Sequence, residues 1–129
     1  MEKANSDEGM IMDLILEART GRERVTMACY GKLVGGKEAD VFRGSAMLLM
    51  GGFDNLVIDL AGVRTMDCGG LGSLASVLGL AVDKGKQVRI ANANPLVLEM
   101  IQIMKLDRYL ERENRLVPRS MAKGDEAAA

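Results

Sequence analysis

The sequence predicts a single α/β domain whose mostly parallel sheet opens with a hairpin. Three observations predict it. Two-residue and helical apolar periodicities alternate along the chain, the pattern of strands joined by helical crossovers. Residues 56–60, Leu-Val-Ile-Asp-Leu, are nearly all apolar, as expected for a strand covered on both faces. The chain has 129 residues, 48% of them hydrophobic, enough for one real core without disulfides or metal.

The elements follow in order. Residues 1–9 are polar and read as a mobile tail. Met12, Leu14, Leu16 and Ala18 alternate, predicting a half-buried strand over 12–18. Thr20-Gly21-Arg22-Glu23 is a turn. Val25, Met27 and Cys29 predict a second, antiparallel strand over 24–31. Gly35-Gly36 breaks the chain, and Ala39, Phe42, Ala46 and Leu49 predict a helix over 37–50, ended by Gly51-Gly52. The apolar strand 56–60 leads into a short polar loop. A helix then carries the stripe Leu71, Leu74, Ala75, Leu78 and Val82 and stops at Gly85. Residues 87–91 form a short strand with Val88 and Ile90 on one face. Asn94-Pro95 caps and starts a helix over 96–106. Residues 111–118 hold room for one last strand, and 119–129 read as a tail.

Composition excludes several function classes. With 17 basic and 18 acidic residues, net charge −1, the chain has no basic stripe for nucleic acid. No segment nears the roughly 20 apolar residues of a membrane span, and the polar N-terminus has no apolar core of a signal peptide. Two cysteines, Cys29 and Cys68, suit a reducing cytoplasm. The chain has no histidine, which removes the usual general base and the commonest metal ligand. No enzyme, cofactor or metal site is expected.

Two glycine-rich stretches imitate nucleotide motifs. Gly31-Lys32-Leu33-Val34-Gly35-Gly36-Lys37-Glu38 nearly matches a phosphate-cradling loop, but Glu38 stands where a magnesium-binding hydroxyl is required. Gly70-Leu71-Gly72-Ser73-Leu74-Ala75 matches the dinucleotide fingerprint in letters only. It lies mid-chain, and Asn92 occupies the position of the ribose-binding acid. Small residues letting a helix approach a sheet explain it better.

The most informative stretch is residues 56–72, LVIDLAGVRTMDCGGLG. It ends at a helix N-terminus, where free N–H groups and the helix dipole favour negative charge. Asp67 is placed to cap that helix by accepting from Gly69 or Gly70, worth about 1 kcal/mol. As a functional group it would position a partner or a phosphate donor. Cys68 either fills a tight turn or, as a thiol at a helix start, is reactive. Cys29 reads as core, and Thr65, Ser73 and Ser76 are hydroxyls near the site, the serines on the helix surface. In the 96–106 helix, Val97, Met100, Ile101 and Met104 form one stripe. Leu96, Leu98 and Ile103 lie off it, so the helix is either well covered or offers an apolar patch between Leu96 and Leu106 for a partner or a second copy.

These segments together resemble the STAS domains, and among them the single-domain bacterial anti-sigma factor antagonists. The resemblance runs from about residue 10 to residue 110. Its carriers are Gly31, the 56–72 stretch, Val88-Arg89-Ile90-Ala91-Asn92-Ala93-Asn94-Pro95, and Lys105-Leu106-Asp107-Arg108-Tyr109. It implies a domain over 10–118 with a four- or five-stranded mixed sheet and three to four helices mainly on one face. It implies binding rather than catalysis, the partner being an anti-sigma factor or serine kinase. Gly31, Gly35, Gly36, Thr65, Asp67, Cys68, Gly69, Gly70 and Leu71 are then the expected partner-binding residues. Cys68 occupies the position of the family's phosphoacceptor serine, and Gly69 that of a common second serine. Phosphate there adds nearly two negative charges to an interface; cysteine is not a substrate for serine kinases. Two alternatives accompany this reading: an accessory subunit of a lipid or anion transport system, and a thiol sensor at Cys68.

Overall fold

A computed structural model describes residues 13–111. The expected tails, 1–9 and 119–129, and all but the first residue of the strand expected over 111–118 lie outside the described residues. The element order is β1 (Leu14–Thr20), β2 (Val25–Leu33), α1 (Lys37–Gly52), β3 (Asn55–Met66), α2 (Cys68–Lys84), β4 (Gln87–Ala91), α3 (Pro95–Ile103) and a 3-10 turn (Asp107–Tyr109). The four strands lie in the order β1-β2-β3-β4. β1 pairs antiparallel with β2, while β2, β3 and β4 run parallel. This is the mixed α/β sheet with an N-terminal hairpin that the sequence predicts.

One face of the sheet is covered. Val25, Met27, Cys29, Leu33, Leu56, Ile58, Leu60, Val88 and Ile90 meet Phe42, Ala46 and Met50 of α1 in a single core. Leu74, Val77, Leu78 and Ala81 of α2 and Val97 and Ile101 of α3 complete it. The other face carries Thr26, Tyr30, Asp59 and Arg89, none of them buried.

Several boundaries differ from the sequence expectation. β1 runs 14–20 rather than 12–18, and β2 continues two residues past Gly31. The largest difference is β3. The predicted polar loop after Leu60 is strand as far as Met66, paired with β2 through two register shifts. Its core-facing residues fall at Leu56, Ile58, Leu60, Val63 and Met66, and Val57 is buried on the other face. Two extra residues break the two-residue period, so the second half does not read as a strand.

The α1 helix runs through Gly51 and Gly52, and the extended Phe53 ends it. Neither glycine takes a positive φ, so the expected glycine stop is absent there. At the end of α2, Gly85 does adopt the left-handed conformation (φ +71°) and donates to Ala81 and Val82 carbonyls. Within α2 the buried stripe is Leu71, Leu74, Val77, Leu78 and Ala81, while Val82 is exposed and Ala75 half-buried. Ser73, expected on the surface, is buried and donates its hydroxyl to the Gly70 carbonyl at 2.6 Å. Gly70 sits hard against β2, which turns the helix so that the neighbouring serine faces inward.

β4 spans the predicted residues. α3 ends at Ile103, not 106: Lys105 takes a left-handed φ of 61° and the chain turns into the 3-10 segment. Of its expected stripe, Val97 and Ile101 are buried, Met100 is half-buried and Met104 is exposed. Leu110 bridges Ile90 in parallel, and the Glu111 N–H donates to the Ile90 carbonyl at 2.7 Å, beginning a fifth strand position beside β4.

Candidate functional site

Parallel strands place the helices that follow them at one edge of the sheet. β2 leads through Val34-Gly35-Gly36 into α1, and β3 leads through Asp67 into α2. The two helix starts therefore sit side by side, at the carboxyl edge where α/β folds commonly build sites.

Asp67 joins them. Its Oδ1 accepts the Gly70 N–H at 2.8 Å, the predicted cap of α2, and also the Gly35 N–H at 3.0 Å from the other turn. The second bond spans 32 positions of sequence and is invisible to local pattern. The glycines make the approach possible. A Cβ at Gly69 would stand 2.6 Å from the Gly35 Cα, and one at Gly70 would overlap the Leu33 carbonyl. Gly36 caps α1 with φ +89° and no side-chain bond.

The result is a platform of two backbone turns held together by one carboxylate. Asp67, Cys68, Gly69 and Gly36 are exposed on it, and Gly35 and Thr65 are half-buried. Cys68 is the first residue of α2. Gly31, Gly70 and Leu71 lie beneath the surface. Gly31 sits within β2 at φ +109°, where a Cβ would overlap the Asp13 carbonyl. Gly31 therefore serves the β1–β2 contact and not the platform, whereas Gly70 and Leu71 belong to the first turn of α2.

The near-match to a phosphate loop has another use for its last residue. Glu38 Oε2 accepts the Asp13 N–H at 3.1 Å, tying the start of β1 to the first turn of α1. That bond, foremost, holds the Glu38 carboxyl below its ordinary value. In the other glycine motif, Gly70 provides the predicted close approach, whereas Gly72 faces open space. The two thiols differ: Cys68 is exposed, and Cys29 is buried beneath the sheet. Burial, helped by the charge of Asp59, pushes the Cys29 pKa up to about 12. Among the described residues no cluster of acidic or cysteine side chains is placed to hold a metal. None of their helices is long and apolar enough to cross a membrane.

A family model described as "Mlab, STAS domain" matches residues 32–118, which include both turns and Asp67. The chain belongs to the STAS domain family. Its fold is shared by solved structures of low identity. The Bacillus cell fate determinant SpoIIAA in its phosphorylated form is 13% identical, covers 86% of this chain and 100% of that chain, and has a TM-score of 0.63. An anti-sigma factor antagonist from Mycobacterium paratuberculosis is 17% identical, covers 77% and 86%, and has a TM-score of 0.64. The murine anion transporter Slc26a9 contains the same STAS fold: 16% identity, 84% of this chain but 18% of that chain, TM-score 0.61. No curated protein sequence matches the chain. In this STAS domain, then, the exposed part of the site is two backbone turns, one carboxylate and one thiol.

Proposed function

We propose that this STAS domain is a cytoplasmic regulatory module of the anti-sigma factor antagonist type. It binds an anti-sigma factor or related serine kinase through Gly35, Gly36, Thr65, Asp67, Cys68 and Gly69. The observation that carries the reading is the pair of hydrogen bonds that Asp67 Oδ1 accepts from the Gly35 and Gly70 N–H groups, which holds an exposed helix start against a second turn. A preformed backbone surface of this kind suits docking, because little order is lost on binding. No nucleophile, base and orienter are assembled there, so the reading is binding and not catalysis.

The phosphoacceptor position holds Cys68, so the domain stays in the form that binds unless another input acts on it. Affinity capture from the source cell tests the reading. The wild type should recover an anti-sigma kinase, identified by mass spectrometry, and Cys68→Glu should lose it. Recovery of that kinase equally by both proteins, or of unrelated proteins only, overturns it. Given a cognate kinase, Cys68→Ser should become a phosphate acceptor while the wild type does not.

A second reading is an accessory subunit of a lipid or anion transport system. The exposed Leu96, Ile103 and Met104 of α3 favour it, as does the fold shared with the Slc26a9 transporter. It predicts a transport ATPase or permease as the captured partner, and α3 side chains shielded from labelling only in the complex.

A further inference from the structure

The two edges of the sheet differ. Beside β4, Leu110 and Glu111 already pair with Ile90. Beside β1 no strand pairs among the described residues. The hydrogen bonds at the two ends of the β1–β2 ladder fix which groups face that open edge. Lys32 N–H donates to the Asp13 carbonyl, and Gly21 N–H to the Arg24 carbonyl. With Leu14 opposite Gly31, both contacts fall on the odd-numbered residues that flank β1, Asp13 and Gly21, and the register between them is unbroken. Bonded and non-bonded pairs alternate in an antiparallel ladder. The N–H and C=O groups of Leu14, Leu16, Ala18 and Thr20 therefore point away from the sheet.

Beside that edge, on the helix side, is an apolar groove lined by Leu16, Ala18, Met27, Ser45, Leu48 and Leu49. Leu48 is 80% exposed. On the opposite side of the strand stand Glu17 and Arg19, both exposed and paired with each other at 3.4 Å, so that a second copy's pair meets them as an alternating four-charge row.

We infer that β1 is a docking edge for a second copy of this chain. The copy pairs antiparallel about a two-fold axis through Ala18, making one continuous sheet. The charges choose this register. Centred on Ala18, Glu17 of each copy faces Arg19 of the other, in a non-bonded pair where side chains lie closest. Shifted to centre on Glu17 it would set Glu17 against its own copy, and centred on Arg19 it would set Arg19 against its own. Of these three registers, the one centred on Ala18 sets Glu17 against Arg19 twice, and in it the outward groups of Leu16, Ala18 and Thr20 bond across the axis. In this register Leu16 of each copy faces Thr20 of the other, on the side of the strand that borders the groove. The interface uses no residue proposed above to bind a partner.

Sedimentation velocity of the full chain at high micromolar loading tests the pairing. The wild type should be a dimer. Ala18→Pro removes only outward N–H groups at an edge position that tolerates proline, so it should be monomeric with an unchanged far-UV spectrum and cooperative melt. Glu17→Arg should weaken the dimer about tenfold, a loss of two opposed charge pairs, and Glu17→Arg with Arg19→Glu should restore it. A monomeric wild type overturns the inference, whatever lies in the groove instead. So does a dimer that survives Ala18→Pro, which would point to the α3 face, and so does a charge exchange that restores nothing.

Discussion

At Asp67 a single carboxylate oxygen ties two turns that are distant in sequence. Asp67→Ala should lower stability by about 2 kcal/mol: about 1 for the lost helix cap and about 1 for the bond to Gly35. Urea denaturation measures the loss, and Asp67→Asn, which keeps an acceptor oxygen, should recover most of it. The cap is legible in the sequence because an aspartate three residues before a glycine N–H is a local pattern. The bond to Gly35 is not, because it exists only once β2 and β3 lie side by side. The thiols give two further tests. A thiol reagent should modify Cys68 and spare Cys29 in the native protein, and modify both in denaturant. Cys29 also makes stability pH-dependent. Its folded-state pKa is raised, so the neutral thiol's contribution is complete below the ordinary thiol value and lost as pH rises from there toward about 12. Over that window stability should fall by about 1.4 kcal/mol per pH unit. Cys29→Ala should flatten that limb in denaturation curves taken across alkaline pH.

Among the elements, helix beginnings are easier to read than strand ends. Asn94 accepts the Val97 N–H at 2.8 Å, with Pro95 in the first turn, as the residues predict. Its amide also donates to the Val63 carbonyl at 3.0 Å, fastening α3 to the far half of β3. Asn94→Ala should therefore cost more than an ordinary cap, about 2 kcal/mol by denaturant unfolding. That far half of β3 escapes sequence reading because bulges move its buried residues off the two-residue period. The end of α3 escapes it because Lys105, not a glycine, takes the left-handed turn. Conversely Gly51 and Gly52 look like a stop and are ordinary helix. Gly70 is the element-scale keystone. Gly70→Ala would drive a methyl into the Leu33 carbonyl, backbone against backbone, where neither helix nor strand can yield cheaply. Overpacking of this kind costs about 1–3 kcal/mol, so the variant should melt well below Gly72→Ala, whose added methyl meets only open space.

On the scale of the whole molecule, the proposed docking rests on two helix starts brought together at the carboxyl edge of the parallel strands. Docking there should fail for Cys68→Glu, which puts charge on the exposed thiol position, and survive Ser76→Ala on the exposed side of α2. A binding titration against the captured kinase reads both. Apolar periodicity in the sequence determined the α/β class, the hairpin and the chain order of strands and helices, and the residue type at a helix start determined the cap at Asp67. Those signals are local, repeating every two or every three to four residues, and they survive without knowledge of neighbours. The fold alone decided the second half of β3, the inward turn of Ser73, the clasp between Asp67 and Gly35, and which strand edge has no partner among the described residues. Each of these is a contact between segments that only packing brings within bonding distance, and nothing in one segment's own pattern encodes its partner's position.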